Sequence, residues 1–308
     1  MMKRLLTFLT VTFVSFSFAF TYWIDSIQVN EYVSLTLYKP FVYRQLVPML
    51  ARTLIWFGIP ANWAIVLMMT TAGIGFYYAL RALIFHFYKT NDLYILALWS
   101  FGLMLFWWER LPSDWMTACL FSLALLFLVQ DRLLAYCLLF PIICSNRYET
   151  ALLLILFHLI YYWNGKQLHG VIFFYQLFTW MGFVVGLHIL FANNGGADVW
   201  MMPVHNLQVF FAHPLHSLLH IAIFGAILLF VFKDWNSKPI FLRTAFVIFA
   251  PILLIAYWVF GQAWEVRVLF ETYPVAALLM LPSIVRVKEF AVLCDGGIPN
   301  VLLSKSIE

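Results

Sequence analysis

Charge is scarce in this chain. Asp, Glu, Lys and Arg make up 10% of its 308 residues, against 64% hydrophobic residues. That shortage excludes an ordinary soluble domain, in which roughly a quarter of the residues are charged. The four cysteines, Cys119, Cys137, Cys144 and Cys294, show neither CxxC nor CxxxC spacing, so neither a disulfide framework nor a cysteine metal site is expected. Fixed-period repeats, glycine-rich nucleotide loops and low-complexity segments are also missing. What fills the chain instead is apolar length, with 19% aromatic residues. This composition predicts an all-α, polytopic transmembrane helix bundle, a single integral membrane domain over residues 1–308. Spans consume nearly all of it, leaving no room for a separate catalytic domain. Any chemistry therefore belongs to the bundle or its loops, with membrane lipids as neighbours and no nucleic-acid partner.

Lys3 and Arg4 precede Leu5–Trp23, a stretch of signal-anchor length that is read as a retained first span. Ser17-Phe18-Ala19 offers the alternative of a cleaved signal peptide. Seven more full spans are predicted at Ala61–Leu80, Leu93–Trp108, Trp115–Gln130, Val171–Ala192, Leu218–Phe232, Thr244–Phe260 and about Phe270–Val285. Residues 286–308 read as a cytoplasmic tail.

Between the fourth and fifth of these spans, SNRYET (Ser145–Thr150) separates two apolar runs, Leu133–Cys144 of 12 residues and Ala151–Trp163 of 13. At 1.5 Å per residue each reaches roughly 18–20 Å. The hydrocarbon core is roughly 30 Å thick. Residues 133–163 are therefore predicted to form a half-depth helical hairpin. Charge distribution agrees. With the hairpin, only Lys39, Arg44, Arg52, Arg110, Arg147 and Arg267 of the 18 Lys and Arg residues fall outside, and both termini are cytoplasmic. A single crossing would need a helix of roughly 46 Å and would move Lys166, Lys233, Lys238 and Arg243 outside.

Five of those six outer bases are arginine, whose planar fork binds carboxylate or phosphate bidentately. The outer acids include Asp25, Glu31, Glu109, Asp114, Glu149, Glu265 and Glu271. Asp25 follows the first span directly. It is a candidate to take a proton from an incoming hydroxyl or to hold a divalent cation, and the plain alternative is a polar helix end in water. Glu31 is its substitute in the same outer loop, residues 24–60. In PFVYRQLVPMLA, Arg44 and Tyr43 are candidates to hold a phosphate at the membrane interface, or Arg44 snorkels from an interfacial helix. Asp114 in WERLPSDW is a reserve carboxylate, with Ser113 or Asp114 expected to cap the next helix.

Asn146, Arg147 and Glu149 at the hairpin tip cannot all be solvated at half depth. They are read as a binding site or as a buried ion pair, paired with each other or with charges from another loop such as Glu265 or Arg267. Arg267 and Glu271 are expected on one face of the last span, with Glu265 at its start. Residues 193–217 form a second outer loop, where His205 and His213 are candidate phosphate or sugar contacts. His213, His216 and His220 fall on one stripe of a helix starting near Pro214, but without cysteines nearby no metal site is assigned.

The acid after the first span, the PFVYRQLVPML segment, NRYETALLL and the Glu265–Arg267 stripe resemble the GT-C superfamily of membrane glycosyltransferases, especially compact bacterial members. The resemblance implies broken helices around a cavity open to the outer side of a bacterial inner membrane. It implies transfer of a sugar from a polyprenyl-phosphate donor, with Asp25 as base and Arg44, Arg147 and Arg267 as phosphate contacts. It leaves open a divalent cation and a membrane or soluble protein partner. Many members pair adjacent acids in the first outer loop, whereas Asp25 and Glu31 are six apart. A transporter or flippase of a phosphorylated lipid or anionic solute is the alternative, and a non-catalytic assembly subunit the second.

Overall fold

The computed structural model describes residues 2–25, 29–105, 112–162, 167–196, 201–261, 269–285 and 288–289. Among them are twelve helices: α1 Met2–Asp25, α2 Val29–Ser34, α3 Leu46–Trp56, α4 Ala61–Phe87, α5 Asp92–Leu105, α6 Pro112–Val129, α7 Leu133–Tyr162, α8 Gln167–Leu190, α9 Pro203–Ala212, α10 Pro214–Phe232, α11 Ile240–Phe260 and α12 Tyr273–Ile284. Seven, α1, α4, α6, α7, α8, α10 and α11, are long and apolar enough to cross a membrane, which makes this an integral multi-pass membrane protein.

α4 is the central pillar, packed against α1, α3, α5 and α6. Two small residues set how closely its neighbours approach. A Cβ on Gly73 would lie 2.8 Å from Ser15 Oγ and 3.1 Å from the Trp115 ring, and one on Gly75 would lie 2.9 Å from Cys119 Sγ. Close approach through glycine substitutes for the hydrophobic drive that lipid does not supply. It also fixes axial offsets. Trp115, in the first turn of α6, meets the middle of α4 rather than its end.

α7 reverses on itself. Arg147 (φ −162°, ψ 84°) leaves helical geometry between its two halves. A straight helix would hold Tyr136 and His158 roughly 33 Å apart, yet their rings stack at 6.2 Å. Tyr162, at the end of the second half, donates to the Leu128 carbonyl at 3.0 Å, close to where the first half begins. The tip lies beside the middle of α8, where Trp180 Nε1 donates to the Tyr148 carbonyl at 2.9 Å.

The opposite end of the bundle gathers the end of α4, the start of α11 and the end of α12. Phe87 and Phe241 meet at 6.0 Å. Lys238 Nζ donates to the Phe230 and Val231 carbonyls at 2.8 and 2.7 Å and to Ser283 Oγ at 2.9 Å. The short strands β1 (Tyr88–Lys89) and β2 (Lys288–Glu289) pair there antiparallel.

Three expectations need correction. Eight full spans were expected outside residues 133–163, and six of them are long helices. The expected span Leu93–Trp108 runs past Leu105 into residues outside the described ones, whereas α12 is bounded at both ends and has 12 residues, about 18 Å. α12 starts late because Pro274 opens it, leaving Glu271 and Thr272 in the preceding turn. Glu271 is therefore outside the last helix. In α6, Pro112 is already helical, so Ser113 and Asp114 occupy the first turn rather than the cap. Within residues 193–217 lies α9, started by Pro203 and tied to the end of α11. Asn206 donates to the Trp258 and Gly261 carbonyls at 3.0 and 2.8 Å.

Candidate functional site

Three chain turns converge at the level of the middle of α4: the start of α6, the tip of α7 and the start of α12. Each brings one ionic side chain, Asp114, Arg147 and Glu271, and the segment before α3 adds Arg44. Asp114 and Glu271 are 0% exposed and both arginines 6%. Arg147 Nη1 lies 3.0 Å from Glu271 Oε1 and 3.8 Å from Asp114 Oδ1; Arg44 Nη1 lies 3.5 Å from the same Asp114 oxygen. Only the 3.0 Å contact is within ordinary hydrogen-bond range. The guanidiniums therefore hold Asp114 electrostatically, from two sides, at a distance that allows rearrangement. Asp114 also sits in the first turn of α6, where the helix dipole favours negative charge.

The tip is pinned as well as charged. Asn146 Nδ2 donates to Thr117 Oγ1 at 2.8 Å and to the Ser113 carbonyl at 3.2 Å, joining the tip to the turn that carries Asp114. The Gln45 amide donates to the Ser145 carbonyl at 2.8 Å, joining it to the segment that carries Arg44. Tyr43 stacks on His188 at 4.8 Å and meets Tyr148 edge-on at 5.9 Å, so each arginine has a tyrosine neighbour in sequence that belongs to one aromatic group. Tyr273 anchors α12 through its hydroxyl, which donates to the Leu98 carbonyl.

The structure thus brings together Arg44, Tyr43, Asp114, Asn146, Arg147 and Glu271. It leaves apart Glu31, Glu149, His205 and His213, all of which are exposed. Asp25 is the last residue of α1, and its side chain lies outside the described residues. Seven residues, about 10 Å of helix, separate it from Phe18, whose ring lies 6.1 Å from Trp115. Glu109, Glu265 and Arg267 lie outside the described residues. Among the described residues, the partners of Arg147 are Asp114 and Glu271. Neither buried carboxylate fits a divalent-cation site, because both face guanidinium groups. No set of three or more His, Cys, Asp or Glu side chains among the described residues is placed to hold a metal. His216 and His220 do approach, at 4.8 Å between rings.

Two features were missed by sequence reasoning. His188 sits near the end of an apolar span, and nothing in its neighbourhood signals that it will meet Tyr43. A second buried polar group joins the open end of the hairpin to α8. Tyr136 accepts from Gln176, and His158 Nε2 lies 3.2 Å from the His169 carbonyl. The seven-residue spacing of His169 and Gln176, two turns of one helix, was the available signal.

Compared with protein-family models, curated proteins and solved structures, the chain finds no match in any of the three.

Proposed function

We propose that this protein is a membrane glycosyltransferase of GT-C-like architecture that moves a sugar from a polyprenyl-phosphate donor to a hydroxyl acceptor on the outer side of the membrane. The observation that carries this reading is the convergence of Arg44 and Arg147 on one buried carboxylate at the tip of a reversed helix pair. Ionic groups at such depth are costly and mark function by default. Two arginines within reach of one point suit a phosphate leaving group.

In an inverting transfer the acceptor oxygen attacks the anomeric carbon as the bond to the phosphate oxygen breaks. The acceptor proton passes to a carboxylate, and polyprenyl phosphate departs with the bonding electrons. The base must lie across the sugar from the phosphate. Asp114 is on the phosphate side, where its role is to orient the arginines. The base is then Asp25, at the outer end of α1, with Glu31 as the substitute from the following segment. No step needs a divalent cation.

A transporter of a phosphorylated lipid is the second reading, favoured by the polar group at Tyr136, His158 and Gln176. Against it, buried Phe140, Ile143 and Leu154 form an apolar layer between the two polar regions. The test uses purified protein in lipid nanodiscs with undecaprenyl-phosphate hexose, labelled in the sugar, and isolated cell-envelope glycans as acceptor. Release of free undecaprenyl phosphate is the readout. Asp25→Asn should slow release by about 100-fold or more while helical content is unchanged. Parental rates in Asp25→Asn, Glu31→Gln and Asp114→Asn alike refute the mechanism. Movement of the intact donor across vesicles without release supports the transporter instead.

A further inference from the structure

The four ionic side chains are sealed as the protein stands, so a ligand headgroup reaches them only if a covering element moves. Among the described residues four elements cover them, and three of these are helical and cross-tied. Asn146 fastens the tip to α6, Trp180 fastens the tip to α8, and Tyr273 fastens α12 to α5. The fourth, residues 35–45, has a single three-residue helical turn, Phe41–Tyr43, and brings Arg44 against Asp114 and Gln45 against the Ser145 carbonyl.

This segment is fastened to the loop after α8 by contacts of a different kind. Asn194 Nδ2 donates to the Leu35 and Leu37 carbonyls at 3.2 and 3.0 Å. The Lys39 amide donates to the Gly195 carbonyl at 2.8 Å, and Lys39 Nζ to the Ala192 carbonyl at 3.1 Å. These are backbone carbonyls and amides and two side-chain donors that water can satisfy equally well on release. Gly196 makes the seating possible. Its φ is +92°, and a Cβ there would stand 2.8 Å from the Lys39 carbonyl oxygen. At the upstream end Leu35 has φ 61°, a left-handed conformation open to glycine and strained for leucine. The Thr36 amide closes back onto the Glu31 carbonyl at 3.1 Å, making Leu35 the residue where α2 ends and the covering segment begins. The underside is apolar, with Leu37, Val42 and Tyr43 buried, which drives reclosure.

We propose that residues 35–45 form a lid, hinged at Leu35 and latched by Asn194 and Gly196, over the buried ionic site. Opening exposes Arg147 and Asp114 to an entering anionic headgroup. Closing returns Arg44 and Tyr43 to it, so the site is complete only around a captured ligand. The proposed transferase supplies the identity of that ligand, a lipid phosphate, while the lid rests on the latch geometry alone.

Accessibility tests this without any substrate. With Cys119, Cys137, Cys144 and Cys294 replaced by alanine, Ser113→Cys places a thiol beside Asp114, and Thr150→Cys serves as a second reporter if the first does not fold. Modification by a charged, water-soluble methanethiosulfonate in nanodiscs is followed by intact mass. Asn194→Ala and Gly196→Ala should each speed modification by about tenfold, the factor that losing one or two net hydrogen bonds gives an opening equilibrium. Ser122→Cys, deep in α6, should stay unmodified in the same variants. Rates within about twofold of the parent overturn the lid. A Ser122→Cys rate rising in step also overturns it, because the whole bundle has then loosened. Since no donor is used, failure of the lid and failure of the transferase reading are read separately.

Discussion

Replacing Arg147 by methionine removes the cation between two buried acids and should be among the most damaging single changes in the protein. Glu271 Oε1 at 3.0 Å and Asp114 Oδ1 at 3.8 Å both face Arg147 Nη1. With an effective dielectric of about 20, Coulomb attraction at these separations is about 5.5 and 4.4 kcal/mol, gross. Desolvation of the partners offsets most of that sum while the pairs are intact. Once the arginine is gone it is uncompensated, because Glu271 cannot reach water from a fully buried position. The net loss is then about 3–5 kcal/mol, the usual cost of breaking a buried pair from one side. The double variant Arg147→Met with Glu271→Leu removes charge from both sides of the shorter pair and should recover about 2–3 kcal/mol of the loss. Thermal unfolding in nanodiscs, followed by far-ultraviolet circular dichroism, reads this as a fall in Tm of roughly 6–15 °C for the single variant. The double variant should melt between the single variant and the parent. A single variant that melts within about 2 °C of the parent, or a double variant less stable than the single, refutes the idea that these contacts are buried and coupled. Polyprenyl-phosphate release should be lost in both variants, since the restored stability does not restore the phosphate contact.

Asn146→Leu strips the two hydrogen bonds that join the tip to α6 and should cost about 1–3 kcal/mol, read as a lower unfolding midpoint in the same melt. Gly73→Ala drives a methyl group into Ser15 Oγ and should destabilise by about 1–3 kcal/mol; Ser15→Gly in the same chain should restore most of it, and equal melts for Gly73→Ala with and without Ser15→Gly argue against the close approach. Asn193→Cys and Asn236→Cys, both exposed at opposite ends of the bundle, should label from opposite sides of the cell membrane, Asn193→Cys from outside. Labelling of both from one side refutes the topology.

The membrane class was legible from composition, because a bundle in lipid must satisfy its backbone internally and display apolar side chains outward. The reversal of α7 was legible for a different reason. Two runs too short to span, separated by Arg147 and Glu149, leave the chain no cheaper path than to turn back. The start of α12 was less legible. Apolar residues precede it, so hydropathy alone extends the span, whereas the turn at Glu271-Thr272 and Pro274 determines where α12 begins. Glu149 is polar and two residues from Arg147, yet it is exposed while Arg147 is buried, because the non-helical residue between the two halves redirects the following turn.

By itself the sequence determined the solvent, the reversal and the inventory of arginines and acids, since run length and charge sign are properties read along one dimension. Only the tertiary structure decided which ions meet. Gly73 and Gly75 set the offset of α6 against α4 and thereby the depth of Asp114; the Tyr273 anchor to Leu98 sets the depth of Glu271; the Gln45–Ser145 hydrogen bond draws Arg44 inward. An ion pair depends on distances of a few ångströms between residues dozens to hundreds of positions apart, and those distances follow from the axial offsets of packed helices, which no local pattern encodes.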